Sequence, residues 1–276
     1  MKELHGRNAL VTGASGGIGA YIARALARAR MNVVITGRRE DALRSLAAEL
    51  RQLGVSAEPL TADLFEREQV ESLVDRASDA IGPIDVLVNN AGIEDAAAFT
   101  LMTPDELRSM IDLNLTAPML LARAALPGML ERRRGHIVFI SSVSGKFGTA
   151  YEAPYAATKA ALVALTHSLR AEYLNAPVGF SAVCPGFVAG DGMYQRMVEG
   201  GFRSNLLLGH TKIEKVAERV VVAIRDDRPE LIESGRPLRP LLALGQIAPR
   251  LVELGVARVG LTDLFRGVAR SRGKAQ

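Results

Sequence analysis

The stretch "TGASGGIG", residues 12–19, places four glycines within eight residues, three of which, Gly13, Gly17 and Gly19, form the pattern TGxxxGxG. An apolar run, residues 8–12, precedes it, and an amphipathic run, residues 18–29, follows it. This order predicts a strand that turns through the glycines into a helix, whose free backbone N–H groups and positive dipole end face the loop. A pyrophosphate group binds at such a helix start. The stretch therefore predicts a dinucleotide site, with a plain strand-to-helix turn as the alternative.

Three glycines of this loop have an expected role. Gly13 permits the turn, Gly17 lets the backbone approach a phosphate, and Gly19 lets the helix pack against the strand. The spacing is TGxxxGxG and differs from the usual GxGxxG pattern, so the remaining motifs are needed to interpret it.

Short apolar runs alternate with longer amphipathic segments along the rest of the chain. This alternation predicts an α/β fold with a doubly wound, Rossmann-like parallel sheet of about seven strands and helices on both faces. The predicted strands are residues 8–12, 32–36, 56–62, 84–90, 136–141, 179–185 and 229–234. We expect residues 1–235 to form the dinucleotide-binding and catalytic domain and residues 236–276 a basic, amphipathic helical tail.

Two further segments carry signals for a helix start. Thr103 is placed to cap a helix, with Pro104 at its first position and Glu106 completing a capping box. The stretch "TKIE", residues 211–214, has the same spacing.

Composition narrows the class of protein. Of 276 residues, 48% are hydrophobic and 23% charged, which is typical of a globular domain, and no apolar run reaches the roughly 18 residues of a membrane span. Cys184 is the lone cysteine, the four histidines lack metal-ligand spacing, and the first residues lack the apolar core of a secretory signal. We expect a cytoplasmic protein with no metal site.

The net charge of +4 is unevenly distributed. Residues 236–276 carry eight Lys or Arg and two Asp or Glu, which leaves the main body slightly acidic. An acidic body argues against a nucleic-acid groove, so no nucleic-acid partner is expected.

Six motifs follow one another in a recognisable order. They are the glycine loop, Asp63-Leu64, "NNAG" at 89–92 with Asn114 beyond it, Ser142, "YAATK" with Tyr155 and Lys159, and Pro185-Gly186. Together they resemble the classical short-chain dehydrogenase/reductase family over about residues 7–234. Taken one at a time, these motifs have simpler interpretations. The Tyr-Lys pair could lie on a solvated helix face, and Ser142 or Asn114 could be a cap or turn residue. Asp63 could be the N-cap of the next helix, with Glu66 completing a capping box.

The resemblance implies the roles of the site residues. Tyr155 is the general acid/base, Ser142 binds the substrate oxygen, Lys159 lowers the pKa of Tyr155 and holds the nicotinamide ribose, and Asn114 holds a water that links the lysine to solvent. The implied cofactor contacts are Gly13, Ser15, Gly17, Ile18, Gly19, Arg38, Arg39, Asp63, Leu64, Asn90, Ala91, Gly92, Tyr155, Lys159, Pro185, Gly186 and Val188.

The end of the second predicted strand points to NADP(H). An NAD site places an acid there, about 20 residues past the glycines, whereas this chain has Gly37 followed by Arg38 and Arg39. A guanidinium can hold a 2′-phosphate that an acid would repel. The alternative is that both arginines only begin the next helix in solvent.

The segment after Pro185-Gly186 predicts a lipophilic carbonyl or alcohol substrate. Residues 187–210 include Met193, Tyr194, Met197, Phe202 and Leu206 to Leu208, an apolar and adaptable set. Ala189 and Gly190 stand near the place where many family members have a threonine that contacts the cofactor. We expect an NADP(H)-dependent oxidoreductase; a non-catalytic NADP(H) sensor, or a membrane-surface or partner-binding protein, is the alternative.

The tail has the apolar spacing of one or two short amphipathic helices. The positions are Leu241, Leu244, Ile247, Leu251, Leu254, Val256, Val259, Leu264, Phe265 and Val268. This pattern predicts a lid for apolar ligands, a peripheral membrane anchor, or both; the alternative is a helix pair packed on the body or on a second subunit. The family resemblance adds the expectation of a homodimer or homotetramer.

Overall fold

A computed structural model of the chain describes residues 1–189, 209–250, 261–271 and 273–275. Its strands are β1 (Asn8–Thr12), β2 (Asn32–Gly37), β3 (Ala57–Thr61), β4 (Val86–Asn89), β5 (Gly135–Ile140), β6 (Val178–Pro185), β7 (Val188–Ala189), β8 (Thr211–Lys212) and β9 (Glu230–Glu233). Seven of them form a parallel sheet in the order β3-β2-β1-β4-β5-β6-β9, and β7 and β8 form a separate parallel pair. The predicted doubly wound sheet is confirmed.

Helices cover both faces of this sheet. They are α1 (Gly17–Arg28), α2 (Glu40–Arg51), α3 (Arg67–Ile81), α4 (Pro104–Ile111), α5 (Ala117–Glu131), α6 (Ala153–Glu172), α7 (Ile213–Asp226), α8 (Arg239–Ile247) and α9 (Leu261–Ser271). Helices α1, α2 and α7 bury their apolar faces on one side of the sheet, and α3, α5 and α6 bury theirs on the other.

The strands supply side chains to both apolar layers. Leu10 and Phe139 belong to the layer beneath α3 and α5, while Val11 and Ile140 belong to the layer beneath α1 and α7. Successive residues of a strand point to opposite faces, so a strand buried on both sides is apolar at every position. This explains why the sequence shows continuous apolar runs at these strands.

One of the two predicted capping boxes is present. The Thr103 side chain accepts from the Glu106 backbone N–H at 3.2 Å, and the Glu106 side chain accepts from the Thr103 backbone N–H at 2.9 Å. The box predicted at residues 211–214 is wrong, because Thr211 lies in β8 and its hydroxyl donates to Glu233 Oε1 at 2.8 Å. The Thr211 hydroxyl thus bonds to a residue 22 positions away and does not form the helix cap that the local pattern predicted.

Asp63 is also not a helix cap. Helix α3 begins only at Arg67, and the Asp63 carboxylate accepts from the Phe65 backbone N–H at 3.1 Å, two residues on. Asp63 therefore shapes the turn after β3 instead of capping the helix.

The predicted tail forms α8 and α9 in its described part. Leu242, Phe265, Val268 and Ala269 are buried, whereas Leu241, Leu244 and Ile247 are exposed. The predicted apolar positions Leu251, Leu254, Val256 and Val259, and the side chain of Leu264, lie outside the described residues. Among the described helices, none is long and apolar enough to cross a membrane.

Candidate active site

A cavity of about 900 Å³ opens at the carboxyl ends of the strands. The strand order reverses between β1 and β4, and the helices that follow them, α1 and α5, pack on opposite faces of the sheet. Open parallel sheets bind their ligands at such a switch point. The sheet topology therefore places the site where the glycine loop predicts it.

The glycine loop lies directly against the loop after β4. Gly13 has a φ of +67°, and a Cβ there would lie 2.8 Å from Ala91 Cα. A Cβ on Gly19 would lie 2.3 Å from the Gly13 carbonyl oxygen, so both positions require glycine. Asn90 fastens the two loops by donating from Nδ2 to the Thr12 carbonyl at 2.9 Å. Gly19 thus packs the helix against the glycine loop and Asn90, where the sequence predicted packing on the strand, and it does not line the cavity.

The first part of the cavity fits a dinucleotide. The N-terminus of α1 has no side-chain cap at Gly16, and Ser15, Gly16, Gly17 and Ile18 line the cavity at this helix start. The Thr36 hydroxyl is buried, and no hydrogen-bond partner for it lies among the described residues. Open donors at a helix start, together with an unsatisfied hydroxyl, suit the phosphates and ribose of a nucleotide.

The two arginines after β2 lie differently. Arg39 Nη2 donates to the Ser15 carbonyl at 2.6 Å and passes over Gly16, where a Cβ would lie 2.6 Å from that nitrogen. The Arg38 guanidinium lies 6.0 Å from the centroid of the Phe65 ring and lines the cavity. Both arginines therefore line the cavity, and Arg39 also supports the glycine loop.

The tyrosine and serine of the family pattern meet at the opposite end of the cavity. Tyr155 lies in the first turn of α6, and Ser142 follows β5 in an extended conformation. The Ser142 oxygen accepts from the Ser144 backbone N–H at 3.1 Å, and its hydroxyl hydrogen-bonds the Tyr155 phenol. The pattern thus brings a phenol and a hydroxyl to one point, where both can contact the same substrate oxygen.

The pKa of Tyr155 is displaced in the opposite direction from the one expected. Burial raises it well above its ordinary value, the carboxylates of Glu152 and Glu94 raise it further, and the Ser142 hydrogen bond lowers it only in part. Tyr155 is therefore a neutral phenol at physiological pH, and a neutral phenol can donate a proton. No sequence motif pointed to Glu94 or Glu152, since neither belongs to the family pattern.

Lys159 lies one turn along α6 from Tyr155 and is buried. Its ammonium donates to the Ile140 carbonyl at 2.9 Å, and burial lowers its pKa to about 8. Its own backbone carbonyl accepts from the Ser141 hydroxyl at 2.7 Å. These contacts fix the ammonium between β5 and α6, facing the cavity.

Asn114 lies behind this group, in a π-helical turn (Asp112–Thr116) between α4 and α5. Its amide accepts from the Ile93 backbone N–H and donates to the Ile93 carbonyl, both at 2.8 Å, and also contacts the Thr158 hydroxyl at 3.3 Å. Asn114 is fully buried and does not line the cavity. Its observed contacts hold the loop after β4 in place; π-turns of this kind often mark functional sites.

The other predicted site residues all line the cavity. These are Gly13, Ser15, Gly17, Ile18, Arg38, Arg39, Asp63, Leu64, Asn90, Ala91, Gly92, Ser142, Tyr155, Lys159, Pro185, Gly186 and Val188. The predicted apolar substrate segment falls mostly on residues 190–208, which lie outside the described residues. Within the described residues, no cluster of three or more His, Cys, Asp or Glu could hold a metal ion.

The sequence did not predict which tail residue reaches the cavity. Phe265 of α9 and Leu238, just before α8, both line it. The Phe265 ring stacks on Phe187 with centroids 6.2 Å apart. Phe265 was one of ten apolar positions in the tail, and no local signal distinguished it from the other nine.

Comparison with known proteins places the chain in a family. A family model described as short chain dehydrogenase matches residues 7–199, and the chain belongs to this family of oxidoreductases. Among its relatives, the ketoacyl reductase HetN of Nostoc sp. strain PCC 7120 is 38% identical over 99% of this chain and 96% of its own length. A putative ketoacyl reductase of Streptomyces coelicolor is 40% identical over 65% of this chain and 70% of its own.

Two solved structures share the fold. A variant of actinorhodin polyketide ketoreductase with NADPH has a TM-score of 0.77 at 32% identity, covering 85% of this chain and 98% of its own. A short-chain dehydrogenase/reductase of Burkholderia phymatum in complex with NAD has a TM-score of 0.80 at 26% identity, covering 91% and 96%. These two structures thus differ in the nicotinamide cofactor that they contain.

Proposed function

We propose that this protein is an NADP(H)-dependent oxidoreductase that interconverts a carbonyl and a secondary alcohol on a lipophilic substrate. The observation that carries the proposal is the convergence of Tyr155, Ser142 and Lys159 at one end of a cavity whose other end suits a dinucleotide. A sensor that only binds NADP(H) would need the dinucleotide end alone.

Each residue has a task that follows from its surroundings. The bound nicotinamide supplies or accepts the hydride. Tyr155, a neutral phenol, donates its proton to the carbonyl oxygen during reduction, and Ser142 positions that oxygen by a hydrogen bond. Lys159 lies beside Tyr155 with its pKa lowered to about 8, so at neutral pH its ammonium stabilises charge that develops on the phenol oxygen. Asn114 helps to position these catalytic side chains through its hydrogen bonds to Ile93 and Thr158.

Arg38 carries the preference for NADP(H). Its guanidinium lines the cavity beside Phe65, and Gly37 stands where an acid would repel a 2′-phosphate. Arg39 also lines the cavity, and its guanidinium is held at the Ser15 carbonyl, where it contributes positive charge beside the loop. We infer that Arg38 provides the direct contact to the phosphate and that Arg39 supports it.

A lipophilic carbonyl is the proposed substrate class. Phe187, Leu238 and Phe265 give the cavity an apolar wall, and the relatives named ketoacyl reductases suggest a 3-oxoacyl chain as one form of it. Turnover tests the whole proposal: apolar ketones and 3-oxoesters are incubated with NADPH, and nicotinamide absorbance is followed. Oxidation of NADPH that depends on the ketone supports the enzyme, whereas tight NADPH binding with no turnover of any carbonyl supports the sensor.

We also propose a cytoplasmic homodimer or homotetramer with a peripheral membrane contact. Apolar side chains exposed on and before α4 and α5, namely Phe99, Leu101, Ile111 and Met119, offer a surface for a second copy. The contact with a membrane would use Leu241, Leu244 and Ile247 of α8, which are exposed next to a basic run of chain. The free thiol of the buried Cys184 suits a reducing compartment.

A further inference from the structure

Helix α9 and the residues just after it contact several of the loops that surround the active site. Its buried positions, Phe265, Val268 and Ala269, share one face because they are spaced by three and four residues. Phe265 meets Phe187, the residue directly after Pro185-Gly186, at a centroid distance of 6.2 Å. Of these three residues, Phe265 lines the cavity, so the buried face of α9 carries the side chain that reaches the site.

Polar contacts fix α9 to two further loops of the site. Arg266 Nε donates to the Tyr151 hydroxyl at 2.9 Å, which ties the helix to the loop before α6. The Tyr151 carbonyl in turn accepts from the Ala97 backbone N–H at 2.8 Å. The loop that precedes Tyr155 and the loop after β4 are therefore joined to each other and to α9.

Lys274, three residues beyond the end of α9, adds a further set of contacts with the loops of the site. Its ammonium forms ion pairs with Asp95, in the loop after β4, and with Glu106, in α4. Its backbone carbonyl accepts from the Ala98 N–H at 2.8 Å. These hydrogen bonds raise the pKa of Lys274 and lower that of Glu106. The two ion pairs and the backbone bond fix the chain end across the site, although the sequence separates it from these partners by about 170 residues.

From these contacts we propose that α9 is a structural wall of the substrate site and that Phe265 determines specificity for the apolar part of the substrate. Lys274 is the positioning residue that holds this wall in place. The proposal rests on the proposed function, because it assigns the substrate end of the same cavity. The substrate class is a carbonyl compound whose alkyl or aryl group packs on Phe187 and Phe265.

The physical consequence is a dependence on chain length. Each CH₂ group that is buried contributes about 0.8 kcal/mol, or roughly a fourfold gain in binding. A ketone too short to reach Phe265 gains nothing from that ring. Loss of the ring should therefore reduce kcat/KM more for long ketones than for short ones.

The test measures kcat/KM with NADPH for 2-alkanones from 2-butanone to 2-decanone. We expect kcat/KM to rise along the series in the unmodified protein, by up to about fourfold per CH₂. In Phe265→Ala the rise should flatten, with KM increased more for 2-decanone than for 2-butanone. Phe265→Leu should restore part of the rise. Lys274→Gln should increase KM for 2-decanone only, with Lys215→Gln, an exposed lysine of α7, as its control.

A second measurement does not depend on turnover. The chain has no tryptophan, so Phe265→Trp places a single indole in the proposed wall. With NADP⁺ bound, 2-decanone should shift its emission in a saturable manner, and Leu174→Trp, at a position that is 78% exposed, should not respond. The indole emission also tests the wall proposal if the Phe265→Ala variant fails to fold.

The outcomes separate the two proposals. If no carbonyl is reduced but 2-decanone shifts the Phe265→Trp emission, the proposed oxidoreductase function is wrong, and the proposal that α9 lines a site for apolar ligands is retained. If ketones are reduced while Phe265→Ala and Phe265→Leu keep the full dependence on chain length and the indole does not respond, the wall proposal is overturned.

Discussion

The ammonium of Lys159 lies 5.6 Å from the centre of the Tyr155 ring and donates to the Ile140 carbonyl at 2.9 Å. One turn of α6 sets the spacing of the pair, and β5 sets the direction of the ammonium. Burial acts on the two groups in opposite ways: it raises the pKa of the phenol and lowers that of the ammonium to about 8. Both shifts follow from the cost of burying charge.

Tyr155→Phe should abolish reduction while leaving NADPH binding nearly unchanged. The ring is retained and only the proton donor is removed, so we expect kcat to fall by about 10²-fold or more. Tyr173→Phe, at the other end of the same helix, is the matched control and should keep full activity. Ketone reduction by a folded Tyr155→Phe variant at more than a tenth of the normal rate would contradict the assigned role.

The unmodified protein should bind NADPH more tightly than NADH, and Arg38→Asp should narrow or reverse that preference. Charge-assisted hydrogen bonds contribute about 1.5–3 kcal/mol, which corresponds to roughly 10- to 100-fold in affinity. Dissociation constants for both cofactors, from titration of nicotinamide fluorescence, provide the measurement. Arg44→Asp is the control, because Arg44 is an exposed arginine of α2 paired with Glu40. Equal affinities of the unmodified protein for the two cofactors would refute the preference.

The protein should co-sediment with phosphatidylglycerol vesicles at low salt through α8. Ile247 is 83% exposed on a helix flanked by Arg236, Arg239 and Arg250. Three arginines near an anionic surface contribute about 1 kcal/mol each, so high salt should weaken binding by roughly 100-fold.

Ile247→Asp tests the apolar part of this contact. The substitution should reduce co-sedimentation, whereas Leu174→Asp, at another exposed leucine, should not. If the unmodified protein stays in the supernatant with anionic vesicles at low salt, the membrane contact is wrong and α8 is left as a packing or assembly element.

His136 should make the fold sensitive to acid. It is buried at β5, and burial lowers its pKa from 6.5 to about 3. Its Nε2 lies 2.8 Å from the Ser181 oxygen, whose hydrogen is donated to the Arg228 carbonyl at 2.6 Å, so Nε2–H is the donor to Ser181.

The unfolded chain takes up this proton at the ordinary histidine pKa, and the folded chain does not. The neutral form of His136 therefore makes its full contribution to the free energy of unfolding above about pH 6.5. This contribution is lost as the pH falls toward 3, by up to about 1.4 kcal/mol per pH unit. Urea unfolding between pH 7 and pH 4 provides the measurement. His136→Gln should remove this dependence, and His5→Gln, at an exposed histidine, should keep it. A dependence that persists in full in His136→Gln would assign the effect to other groups.

The sequence by itself determined the elements that depend on short-range patterns. A strand buried on both faces must be continuously apolar, so the run predicted at 32–36 is found as Asn32–Gly37. The capping box at Thr103 depends on residues only three apart, and Gly13 is required by a close approach that its motif already encodes. The order of the motifs also identified the family.

Only the tertiary structure decided which distant side chains meet. Thr211 donates to Glu233 instead of capping a helix, Arg39 binds the glycine loop, and Phe265 stacks on Phe187 from the far end of the chain. The pKa of Tyr155 rises chiefly because packing buries its phenol; the carboxylate of Glu152, three residues earlier, and that of Glu94, from the loop after β4, raise it further. The contacts between distant residues are not encoded by a local period or spacing, because each arises when separate elements pack against one another.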